Sequence, residues 1–113
     1  MSNMQFESKT YPGDVQIIKR GKPEGIAKTL DFSEVTDTLN GKKIVKAGTP
    51  IGASGTADNT ATVVGILLSD VIEDRPIGTL LKKAYINTAV AESHSGVTYA
   101  DAVKTALPMI VFE

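Results

Sequence analysis

Gly41 to Gly52 reads "GKKIVKAGTPIG": three lysines around a short apolar run, a glycine at each end, and a Thr-Pro step before the last glycine. Such a stretch suits a phosphate-gripping loop, a carrier-domain turn, or a turn that shapes a small barrel. The residue before it narrows the choice. Asn40-Gly41 tolerates positive φ at both central positions of a type I′ turn, the commonest tight hairpin connection. Lys43 to Lys46 then reads as a strand. Gly48 permits its exit turn, and Pro50, which has no N–H to donate, suits an edge or the first residue of the next strand.

Downstream, "GASGTADNTAT" (Gly52 to Thr62) is small, polar and glycine-containing, the composition of an exposed loop. "TVVGILLSDV" follows as a nearly continuous apolar run of strand length, in which Gly65 marks a bulge or a close backbone approach. "IEDRPIG" reads as a turn and "TLLKKAYINTAVA" as a second long strand. "VTYADAVKTALP" is the one helix expected: Thr98 as cap, Asp101 three residues on, Tyr99, Val103 and Ala106 on one face, Pro108 as stop. "MIVFE" closes the chain as a strand.

Upstream, "DVQIIK" (Asp14 to Lys19) reads as one short strand between Pro12-Gly13 and a second break around Gly21, Pro23 and Gly25. Before it, "NMQFESKTY" alternates weakly and holds too few apolar residues to fold alone. The expectation is a mainly β, small barrel- or sandwich-like domain over residues 14–113. It has six or seven strands, one short C-terminal helix, and an extended N-terminal arm over 1–13.

A chain of 113 residues buries roughly two-thirds of its unfolded surface, enough for one modest core. It contains no cysteine, so disulfides, thiolate metal sites and thiol nucleophiles are excluded. The formal net charge is −1, divided into five Lys/Arg against three Asp/Glu over residues 1–30 and seven against ten over 31–113. That is no concentrated basic surface for a phosphate backbone, so nucleic acid is not the expected partner. The longest apolar stretch, Val63 to Leu68, is far too short to cross a bilayer, and no charged-then-apolar leader opens the sequence. A soluble protein held by packing alone is expected.

The candidate chemistry is thin. His94, the single histidine, lies between Ser93 and Ser95, with Asp101 as a conceivable orienter. Neighbouring side chains point apart, however, and no Gly-x-Ser-x-Gly elbow is present, so a solvated loop histidine is the better reading. Asp70, Glu73 and Asp74 cluster in "SDVIEDRP", but at no EF-hand spacing and beside Arg75, which reads as a charged turn. In "GASGTADNT" Gly55 is followed by Thr56, Ala57 and Asp58, and an acid replaces the lysine that a phosphate loop needs. Lys19, Arg20, Lys22 and Lys28 lack interleaved aromatics and read as a solvated face or a protein-contact rim. No catalytic residue, cofactor, metal or small-molecule substrate is expected, and the chain is not read as an enzyme.

"IVKAGTPIGA", a polar loop, "TVVGILLSDV", "GTLLKKAYINTA" and a terminal helix–strand pair together resemble the bacteriophage head decoration, or capsid cement, proteins of the lambda type. The resemblance covers roughly residues 40–113. It rests on the polar loop leading into Val64-Gly65-Ile66-Leu67, on the glycine-led strand from Gly78 to Ala89, and on the helix from Thr98 to Leu107 with its strand from Met109 to Phe112. It implies a homotrimer on the outer surface of a phage capsid, made in the bacterial host cytoplasm, with the major capsid protein of a tailed phage as partner. It also implies an N-terminal arm that contacts the shell. Position and composition assign that role to Asn3, Met4, Gln5, Phe6, Tyr11 and Pro12, while Asn40, Gly41, Gly48, Pro50 and Gly65 are expected to shape turns and strands.

The same logic has rivals. "KIVKAGTPI" also looks like the strand–turn–strand of lipoyl- or biotinyl-type carrier domains, although Lys42 and Lys43 lack the flanks of a modified lysine. A tail or connector subunit of the virion is a further binding-only reading.

Overall fold

The computed structural model describes residues 16–113. The proposed arm residues Asn3, Met4, Gln5, Phe6, Tyr11 and Pro12 lie outside them, as do Asp14 and Val15 of the first expected strand. The domain is mainly β, as expected. It contains β1 (Ile18–Thr29), β2 (Thr38–Leu39), β3 (Lys42–Val45), β4 (Pro50–Gly52), β5 (Val63–Leu67), β6 (Val71–Ile72), β7 (Ile77–Ile86), α1 (Thr88–Ser95), α2 (Asp101–Ala106) and β8 (Ile110–Phe112).

The expected hairpin forms around Asn40 and Gly41, at φ 53° and 81°. Thr38 faces Lys43 and Leu39 faces Lys42 across it. Then β3 pairs with β6, giving a small sheet in the order β2-β3-β6. The larger sheet runs β1-β7-β5-β4, and β8 joins β7 in parallel. Along one edge β7 pairs with β1 from Ile77 to Ile86. Its other edge is shared: β5 takes Leu80 and Leu81, and β8 takes Ala84 to Ile86. A parallel neighbour demands a long crossover, which α1 and α2 supply.

Two apolar clusters sit on opposite faces of this sheet. Ile66 and Leu81 belong to one, with Ala91, Tyr99, Val103 and Leu107 from the helical cover. Leu67 and Leu80 belong to the other, with Leu30, Ile51 and Val71. Successive strand residues point to opposite faces, so a strand buried on both sides must be apolar throughout. That is the physical meaning of "VVGILL". Within β5 the alternation is broken once: Ile51 faces Gly65 while Gly52 faces Val63, so Val64 is an extra residue opposite β4. A Cβ on Gly65 would stand 2.8 Å from the carbonyl oxygen of Leu81. Gly65 therefore serves both expected purposes, a bulge and a close approach. Pro50 opens β4 at the edge of the sheet, where its missing N–H is tolerated.

Three expectations need correction. The break around Gly21, Pro23 and Gly25 does not end a strand, because β1 continues through it to Thr29. Between the pairs Arg20–Tyr85 and Glu24–Lys83, β1 advances four residues and β7 two, so Gly21, Lys22 and Pro23 are absorbed as a wide bulge. The strand read as Thr79 to Ala91 stops at Ile86, and Thr88 to Ser95 is helical. Asn87 caps that helix by accepting from the N–H of Val90, and Gly96 closes it at φ 77°. Finally, α2 is capped by Ala100 without a side-chain bond, not by Thr98. The carbonyl of Thr98 is taken instead by Asn59 Nδ2 at 2.9 Å, while Asn59 Oδ1 accepts from the N–H of Ala100 at 3.0 Å.

Candidate functional site

Each group singled out for chemistry has a place in the frame. His94 lies in the last turn of α1 and is not a solvated loop residue. Its Nε2 is 2.7 Å from Asp70 Oδ1, with the side chains 21% and 6% exposed. The same carboxylate oxygen accepts the N–H of Ala47 at 2.7 Å. Thus Asp70 ties the β3–β4 turn to α1, and Asp101 does not orient the histidine. The other two carboxylates of the "SDVIEDRP" cluster diverge. Glu73 accepts from the N–H of Lys43 at 2.8 Å, and Asp74 pairs with Lys42 at 3.4 Å. No group of three His, Asp or Glu suited to a metal ion exists among the described residues.

Asp58, in the former phosphate-loop candidate, accepts from the hydroxyls of Thr60 and Thr62 and from the N–H of Thr60. Those hydroxyls, Thr60 first, hold its carboxyl below the usual range. The basic run is dispersed as well. Arg20 forms a bidentate pair with Glu113, at 3.1 Å from Nε and 2.6 Å from Nη2, and lies 4.3 Å above the Tyr85 ring. Lys28 donates to the carbonyl of Ala53 at 2.6 Å.

Gly48 is more than a turn. It sits at φ 94°, donates to Leu67 O at 2.8 Å, and accepts from the Tyr99 hydroxyl at 2.6 Å. Burial, then the charge of Glu92, pushes the Tyr99 phenol well above its ordinary range. Of the remaining turn residues, Asn40 and Gly41 are exposed at the hairpin tip, and Pro50 and Gly65 are buried. Sequence reading missed the Tyr99–Gly48 bond and the Asn59 bridge, both of which join distant segments.

It also missed a cleft. The 31–37 loop and the 53–57 loop face one another across the small sheet, enclosing about 290 Å³. Val35, Ile44 and Val97 contribute apolar lining, Asp31, Glu34 and Asp37 contribute carboxylates, and Lys46 is the one cation of the lining. The signal was present in "DFSEVTD", three acids at three-residue spacing, which reads as an ordinary polar loop until the fold closes it over β3. The Asp31 carboxyl is held low by the Ser33 N–H, which donates to it at 2.9 Å. Glu34 and Asp37 have no ion-pair partner among the described residues.

Neither helix is long and apolar enough to cross a membrane. Comparison with protein-family models, with curated proteins and with solved structures finds no match.

Proposed function

We propose that this chain is a structural virion protein that binds the outside of an assembled phage capsid and stabilises the mature shell. One observation carries the reading. The segments that resemble the lambda-type decoration proteins fold as one unit: the polar loop feeds β5, β5 pairs with β7, and α1 and α2 return the chain to β8 beside β7. The likeness therefore follows a contiguous sheet and its helical cover. Supporting it, the polar side chains that invited catalytic readings hold backbone together: Asp70 at Ala47, Glu73 at Lys43, Asp58 at its own loop.

A carrier domain fits less well. Its lysine belongs at a hairpin tip, and here Asn40 and Gly41 occupy the tip, Lys42 pairs with Asp74, and Lys43 donates to Phe32 O at 3.2 Å.

Cementing has a thermodynamic form. A protein that binds the mature lattice and not its precursor stabilises the mature lattice by its differential affinity. The test is to mix purified protein with expanded and unexpanded shells that lack it. Selective binding to expanded shells is expected; equal binding to both, or to neither, overturns the proposal.

A further inference from the structure

The bulge in β1 and the acidic cleft carry opposite charge. Gly21, Lys22 and Pro23 project from the outermost strand of the large sheet, all three exposed, with Lys19 just before them also exposed. The neighbouring Arg20 is already held by Glu113, which leaves Lys22 as the cation at the crest. Beyond the C-terminal end of the same strand the cleft is lined by Val35, Ile44 and Val97 and by the carboxylates of Asp31, Glu34 and Asp37, which outnumber its one cation, Lys46. A lysine suits such a socket, because its aliphatic stem lies on apolar surface while its ammonium stays at the polar rim.

One chain cannot make this contact with itself. Lys22 and Asp31 are separated by the last seven residues of β1 and by Leu30, which at the usual rise per strand residue places them about 25 Å apart. We infer that the Gly21–Pro23 bulge of one copy seats in the cleft between residues 31–37 and 53–57 of a second copy. Lys22 then meets Glu34 and Asp37 across the interface. The two patches differ, so the contact is head-to-tail, and every copy presents both a bulge and a cleft. Contacts of this type close into rings where the rotation permits. The edge of β1 that has no partner strand among the described residues is thereby approached by a second copy, which hinders unwanted strand pairing there.

The experiment needs no shell, so its failure and that of the capsid reading are separable. Oligomer mass is measured by sedimentation equilibrium over a concentration series for the native chain, Lys22→Glu, Glu34→Lys/Asp37→Lys, and all three changes combined. All sites are exposed, and circular dichroism checks that each variant folds. The native chain is expected to associate. Each charge reversal alone should weaken association by about tenfold or more, in line with close interfacial charge pairs. The combined variant, with acid on the bulge and base in the cleft, should recover it. A native chain that stays monomeric, reversals that leave association unchanged, or a combined variant no better than either parent overturns the inference.

Discussion

Tyr99 donates its phenolic hydrogen to the carbonyl oxygen of Gly48 at 2.6 Å, across 51 residues of sequence. The bond joins the exit turn of β3 to the segment between α1 and α2. Glu92 reinforces it by accepting the Tyr99 N–H at 2.9 Å, and Phe112 packs edge-on against the ring at 5.1 Å. Helical cover, terminal strand and first hairpin therefore meet at one aromatic side chain that is only 4% exposed.

Tyr99→Phe keeps the ring and orphans a buried carbonyl partner. Stability should fall by about 1–2 kcal/mol, the usual cost of a lost buried hydrogen bond. Tyr99→Ala should lose about 3–5 kcal/mol, because an aromatic core residue is removed. Urea unfolding measures both.

Two glycines at positive φ should respond differently to alanine. At Gly41 a Cβ meets nothing within 4 Å, so only the left-handed conformation opposes it, costing about 1 kcal/mol. At Gly48 the Cβ would also stand 2.6 Å from Ala91 O, and the loss should reach about 3 kcal/mol or more. Equal losses at the two sites would refute this account of Gly48.

Removing the Asp70 charge should loosen α1. Asp70→Asn weakens two bonds to one oxygen, and a fall of about 1.5–3 kcal/mol is expected for contacts made by a charged group. Hydrogen exchange should show the loss concentrated at Ala47 and in the last turn of α1.

Stability should decline on the acid side in part through Asp58. Its folded-state pKa is lowered by the Thr60 and Thr62 hydroxyls. Its contribution is therefore fully present above the ordinary aspartate value of about 3.9 and disappears as pH falls through the lower folded value. Asp58→Asn should be less stable than the native chain at neutral pH, and the gap should close in strong acid. Denaturant midpoints across that range provide the check; a gap that widens in acid would contradict it.

Deleting residues 1–13 should leave the circular dichroism spectrum of the domain intact and weaken co-sedimentation with expanded shells. A truncated chain that fails to fold would show that these residues belong to the core.

Much of the fold was legible locally. Asn40-Gly41 specifies its own turn, Pro50 declares a place where no donor is needed, and Pro108 stops a helix, because each acts through its own backbone torsions. The nearly continuous apolar run from Val63 to Leu68 likewise marked a strand, and the structure shows both of its faces covered. What only the tertiary structure decided depends on partners far along the chain. A ladder supplied by β7 carries β1 through Gly21, Lys22 and Pro23, residues that alone signal a break. A switch from strand to helix after Ile86 left no mark in the apolar pattern of "YINTAVA". Asp70 meets His94, and the 31–37 loop meets the 53–57 loop, through the folding of the chain between them. Torsional preferences are written residue by residue, whereas contacts between distant segments exist only once the sheet has brought them together.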